Sequence, residues 1–110
     1  MRKILVVSLL LLFVAGNAAA NCGLEILDEY IPPGFENTPY SSHQLSGYGG
    51  SGSYTWSIWS GSLPAGLSLS SSGVISGTPT ASGYTLVYIR MTDNANPSCT
   101  DTRAYFVEVF

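Results

Sequence analysis

One stretch, residues 63–79, reads LPAGLSLSSSGVISGTP and constrains the fold more than any other part of the chain. Its apolar residues alternate with small polar ones, and Pro64, Gly66, Gly73, Gly77 and Pro79 interrupt them at short intervals. That is the pattern of short strands joined by tight turns. The stretch holds only apolar, hydroxyl, Gly and Pro residues, none of which titrates near neutral pH. It therefore predicts architecture and carries no chemistry of its own.

The flanking segments fit the same class. Residues 24–27 predict a first edge strand, broken by a kink at Pro32 and Pro33, because proline in a sheet is confined to edges and bulges. Residues 35–42 are a linker or the second half of that strand, and residues 43–46 are a weak strand. Residues 47–53 are rich in Gly and Ser and read as a loop. Within it Gly47, Gly49 and Gly52 match the spacing of a dinucleotide fingerprint, which needs a helix on its C-terminal side. The next segment is instead a period-two strand, with Tyr54, Trp56 and Ile58 on one face and Thr55, Ser57 and Trp59 on the other, so the fingerprint is rejected. Residues 84–92 and 103–110 predict two more strands, separated by a turn cluster over residues 93–99. No segment sustains a helical period. Five to seven strands in about 90 residues describe an antiparallel β-sandwich.

Residues 1–20 read as a secretory signal peptide, with Arg2 and Lys3, an apolar run over residues 4–15, and Ala18, Ala19 and Ala20 before a cut ahead of Asn21. The run is shorter than the roughly 20 residues that span a bilayer. The mature chain, residues 21–110, is then expected to be a single domain that is secreted, periplasmic or on the cell surface, with no membrane span. Its two arginines face seven acidic residues, a net charge of −5 that repels phosphate backbones and excludes nucleic acid as a partner. Cys22 and Cys99 are the only cysteines. An even count in an exported chain makes their disulfide the default, with lipidation of Cys22 as the alternative.

Taken together, Tyr54-Thr55-Trp56-Ser57, the run from Gly61 to Leu69, Gly73-Val74-Ile75-Ser76-Gly77-Thr78-Pro79, Gly83-Tyr84 and Thr92-Asp93 resemble the immunoglobulin-like domain of bacterial surface proteins, over about residues 38–110. That family is related to the cadherin-like domain of dystroglycan type. The resemblance implies an immunoglobulin-like sandwich of about seven strands, an extracellular setting and no catalysis. Members usually sit as repeats in larger adhesins or enzymes, whereas this chain reads as one secreted domain, which argues against a pure spacer role. Leu67, Leu69, Val74 and Ile75 are spaced to fill the core, Trp56 takes its central position, and Gly66, Gly73 and Gly77 supply positive φ in the turns. In such sandwiches the first strand runs parallel to the last, and Cys22 precedes the first strand as Cys99 precedes the last.

Chemistry has few candidates. His43 is the lone histidine, with Ser41, Ser42 and Ser46 near it, and no nucleophile-elbow motif accompanies it. No cofactor is expected. A weak calcium site at Asp93, Asn94, Asn96 and Asp101 is the one metal alternative, since calcium takes six to eight oxygens and cadherin relatives bind it at comparable loops. The more informative feature is an outer sheet face. If Val87, Ile89, Met91, Tyr105, Val107 and Val109 point inward, then Trp59, Tyr84, Leu86, Tyr88, Phe106 and Phe110 point outward. The face stays open unless the Pro-containing first segment covers it or a bulge reverses the parity. Such a patch suits a protein partner or self-association, as in adhesion, and alternatively a glycan stacking on the rings.

Overall fold

The computed structural model describes residues 22–110; the signal peptide expected over residues 1–20 lies outside them. Among the described residues there are eight strands and no helix, so none that could cross a membrane. The strands are β1 (Glu25–Ile26), β2 (His43–Gln44), β3 (Gly47–Tyr48), β4 (Tyr54–Gly61), β5 (Leu67–Leu69), β6 (Val74–Gly77), β7 (Gly83–Asp93) and β8 (Thr100–Val109). One layer is the sheet β4-β7-β8. The other contains β2-β6-β5, extended by the two-stranded ribbon β1-β3. All strand pairs are antiparallel, as expected of an immunoglobulin-like sandwich.

The eighth strand arises from an interruption. β2 and β3 succeed one another along a single extended path, and Leu45 N–H continues the pairing to Gly73 O at 2.8 Å. At Ser46 the ladder breaks, because its N–H donates to the Asp28 carboxylate at 2.7 Å. Gly47 and Tyr48, expected in a loop, therefore pair with β1 as a separate short strand.

The first segment divides its pairing between the layers. β1 pairs with β3, so the strand expected to run parallel to β8 does not itself join it. The chain then crosses at Pro32 and Pro33, and Gly34 makes the parallel bridge to Val109 instead. Gly34 N–H donates to Glu108 O and Phe110 N–H donates to Gly34 O, both at 2.9 Å. Proline cannot supply ladder donors, so the crossing falls where the segment contributes none.

The core lies between the layers. Ile26, Ile75, Val87, Ile89, Met91 and Val107 are fully buried, with Trp56 and Tyr105 beside them. Each such aliphatic side chain contributes about 1.5–3 kcal/mol on leaving water. Leu67 and Leu69 pack against this cluster from a half-buried position, Val74 is also half-buried, and Ile75 is the residue of the four that the core encloses. The three turn glycines have positive φ as expected. Gly73 shows why: a Cβ there would sit 2.8 Å from the Trp56 indole, so the turn and the core ring are fitted to one another.

Candidate interaction face

β7 and β8 run side by side without a register shift from Gly83–Val109 to Thr92–Thr100. Alternation along this ladder buries Val87, Ile89, Met91, Tyr105, Val107 and Val109 and turns the intervening residues outward. Tyr84 then stands opposite Glu108, Leu86 opposite Phe106, Tyr88 opposite Ala104 and Arg90 opposite Thr102. Phe106 and Tyr84 are 72% and 70% exposed, and Phe110 and Trp59 are more than half exposed. Leu86 is 38% exposed, and Tyr88, half-buried, is the least exposed of the six.

Trp59 reaches this face through an irregularity. Ser57 faces Arg90 and Ile58 faces Ile89, but Ser60 faces Tyr88, which leaves Trp59 as the extra residue of a bulge. Its ring meets Tyr88 edge to face at 6.0 Å, and the Arg90 guanidinium stands over it at 5.0 Å from the ring centre. Arg90 is held in turn by Thr102, whose hydroxyl accepts from Nε at 3.1 Å. A cation over an exposed ring contributes about 0.5–1 kcal/mol, enough to bias the rotamers of both side chains. Farther along, Glu108 accepts a hydrogen bond from Tyr84 and, with its negative charge, raises the tyrosine's pKa above the ordinary value.

The first segment does not cover the face. Its backbone is spent on the β8 edge at Gly34, and the next residue, Phe35, sets its ring 5.7 Å from Phe110. Phe35 is 56% exposed and belongs with the aromatic row, although its place in a Pro-rich segment concealed that. The parallel bridge at Gly34 is a long-range contact that local alternation does not encode.

The other candidate groups are bonded within the fold. The disulfide joins Cys22 and Cys99, with Cα atoms 5.9 Å apart. Asp93 is buried, and its carboxylate accepts from the Ser51 hydroxyl and from Ser51 N–H. These bonds, with further backbone donors at Ala95 and Asn96, hold its pKa below the ordinary value against the opposing effect of burial. Asn94 bonds Thr55 and Ser53, and Asn96 accepts from Ser98 at 2.8 Å. Asp101 accepts from Ile26 N–H at 2.8 Å, and burial raises its pKa despite that bond. One side-chain oxygen of each of these four residues thus accepts from a protein donor. Among the described residues no three His, Cys, Asp or Glu side chains gather as a metal site.

His43 Nε2 lies 2.9 Å from Asp28 Oδ2, while Ser46 is bound to Asp28 Oδ1 rather than to the imidazole. A nucleophilic serine needs its hydroxyl on the base, and this arrangement does not provide it. Tyr105 donates to Asp28 O and Tyr40 to Pro32 O, both at 2.7 Å, so the same neighbourhood pins the crossing segment.

A family model described as "Putative Ig domain" matches residues 26–109. No curated protein matches the chain in sequence. Among solved structures it is similar to two from Bacteroides fragilis NCTC 9343. One is described as a "putative alpha-galactosidase/melibiase", with 23% identity and a TM-score of 0.65 over 79% of this chain. The other is described as a "putative alpha-galactosidase", with 25% identity and the same TM-score and coverage. This chain spans 17% of the length of each, so the likeness is to one small domain of a larger protein.

Proposed function

The chain belongs to the Putative Ig domain family, and on that premise we propose that it is a non-catalytic binding and adhesion module whose outer β4-β7-β8 face engages a protein partner. The disulfide and the fold suit an extracytoplasmic domain, and the reading places it in a secreted, periplasmic or cell-surface setting. The observation that carries the reading is the Trp59–Tyr88–Arg90 cluster, continued by Phe106, Tyr84 and Phe110 across one uncovered sheet. Ordered aromatic and arginine side chains lose little entropy on binding and dominate interface energetics. A soluble monomer rarely leaves such a row uncovered.

A second reading is carbohydrate binding. The Trp59–Tyr88 pair offers ring faces of the kind on which sugars stack, and the similar solved domains occur in proteins described as galactosidases. The double substitution Trp59→Ser with Tyr88→Ser tests both readings, because neither side chain is core. Capture of partners from the producing cell's surface fraction, followed by affinity measurement on the purified partner, is expected to weaken at least tenfold. A glycan array that loses binding in the variant favours the second reading, and unchanged binding to every ligand overturns both.

A further inference from the structure

Arg90 has more bonding capacity than the fold uses. The described residues hold two arginines and no lysine against seven carboxylates, yet none of those carboxylates comes within ion-pair distance of Arg90. The one ion pair among the described residues is His43–Asp28. Arg103, the other arginine, stands opposite buried Ile89 on the inner side of the sheet and donates to Ile26 O at 3.2 Å. Arg90 is therefore the only cationic side chain on the outer side of β4-β7-β8. Glu108 is the only carboxylate on the outer side of these strands, and it is engaged by Tyr84. It lies at the far end of the ladder, roughly 20 Å from Arg90 at a strand rise of about 3.3 Å per residue.

The guanidinium is already held in place. Nε donates to the Thr102 hydroxyl at 3.1 Å, and the group lies over the Trp59 ring at 5.0 Å from its centre. Among the described residues no protein acceptor takes either Nη, so the terminal edge of the fork is open. The paired N–H groups of that edge match the two oxygens of a carboxylate. A side chain fixed beforehand loses less freedom when such a pair forms. Ser57 stands opposite Arg90 on β4, and Tyr88 follows on the same outer side of β7. Neither hydroxyl has a protein hydrogen-bond partner among the described residues. A carboxylate on Arg90 thus has further donors beside it and no like charge.

We propose that the protein partner of this face presents an Asp or Glu carboxylate to Arg90, set beside apolar side chains that cover the aromatic row. This rests on the reading of the face as a protein-binding surface and adds the chemistry that the surface selects. The apolar part of the occupant follows from the rest of the row. Beyond Tyr88 come Leu86, Phe106 and Phe110, whose side chains have no polar atom with which to read sugar hydroxyls, and the Tyr84 hydroxyl is committed to Glu108. The acidic part follows from charge complementarity at the other end. A partner that brought a cation there would bury it against an unpaired guanidinium, which selects against it. Two arginines against seven acidic residues give residues 21–110 a net charge of −5, so an acidic group is attracted by direct contact at Arg90 and not by the field of the whole domain.

A random peptide library displayed on phage, selected against the disulfide-bonded native chain, supplies probes of known sequence. The selected peptides are expected to carry Asp or Glu next to apolar residues and to be released by Trp59→Ser with Tyr88→Ser. Arg90→Gln is expected to weaken them at least tenfold, and Arg90→Lys, which keeps the charge without the fork, to restore only part of that loss. The same library selected against Arg90→Glu is expected to exchange the acidic residue for Lys or Arg. Titrating the native chain with one acidic peptide gives a reading that no variant's folding affects, because the Arg90 guanidinium resonances are expected to shift. Peptides that bind the face without an acidic preference, or that leave those resonances unmoved, overturn the inference and leave the protein-binding reading standing. A library that yields no peptide released by the double substitution overturns both. Binding of polygalacturonate that is lost in Arg90→Gln, with no acidic peptide selected, gives the carboxylate to a glycan and also overturns the inference.

Discussion

Reduction of Cys22–Cys99 is the perturbation whose size comes most directly from the structure. The bond ties residues 77 apart in sequence, and the Cα separation of 5.9 Å lies at the usual value for a disulfide. In the chain-entropy model, closing a loop of that length removes about 15 cal/mol/K from the unfolded state, or about 4.5 kcal/mol at 25 °C. A domain of this size has about 4–13 kcal/mol of stability altogether, so reduction leaves it marginal. The effect also has a location. β1 has two residues and is held by one ladder and by Asp101 and Arg103, so residues 22–27 depend on the crosslink more than the β7-β8 pair does. Urea unfolding with and without reductant, monitored through the fluorescence of buried Trp56, measures the difference. The midpoint is expected to fall steeply, and the urea dependence to steepen because the reduced unfolded chain exposes more surface. Cys22→Ser, which leaves the buried Cys99 in the core, is expected to match the reduced native chain. A loss below about 1 kcal/mol would refute the reasoning, since it would mean that the ends are already close in the unfolded ensemble.

Two further outcomes concern polar groups near the core. Burial pushes Tyr40 and Tyr105 up to about 12, and both hydroxyls donate to carbonyls of the crossing segment. A pKa raised in the folded state favours the neutral form, so this contribution is complete below pH 10 and is lost as pH rises through 12. At about 1.4 kcal/mol per pH unit it amounts to roughly 2–3 kcal/mol for buried Tyr105, and less for half-buried Tyr40. Melting temperature is expected to drop above pH 10, less so in Tyr105→Phe, and an equal drop in that variant counts against the assignment. Thr85 offers the opposite case, a buried hydroxyl without a hydrogen-bond partner on β7 opposite Val107. Thr85→Val keeps the shape and removes the unpaired oxygen, so it is expected to stabilise by about 1–2 kcal/mol in chemical denaturation. A destabilised variant would show that the hydroxyl is satisfied by bound water.

The parts of the fold that could be read from sequence are those set by local periodicity. Residues 84–92 alternate cleanly and became β7, and the glycines of residues 63–79 stand in the turns expected of them. What local pattern could not supply were the divisions made by distant groups. Asp28 decides that the strand at residues 43–48 breaks at Ser46, from 18 positions away. The parallel partner of β8 is Gly34 rather than the first strand, because only after Pro33 does the segment again have an N–H to donate. Phe35 joins the aromatic row as a consequence of that bridge, and its neighbours in sequence, FENTP, hold no sign of it.

The outer face was easier to place, and Trp59 shows where the reasoning holds and where it needs help. Alternation from Trp56 puts Trp59 on the outer side with Ser57, and its contact with Tyr88 agrees. Continued unchanged, the same alternation would set Ser60 against Val87. The bulge shifts the register so that Gly61 meets Val87 instead. Glycine inside a strand is the sequence mark of such a shift, and here the requirement is physical: Gly61 has φ of 74°, and a Cβ on it would stand 2.3 Å from Leu86 O. The bulge adds local twist to the β4 end, which bends that edge away from pairing while Trp59 is presented beside Arg90. One irregularity thus protects the β4 edge and builds the aromatic cluster. β8, with unbroken register, is covered instead at its far end, where Gly34 bridges Val109.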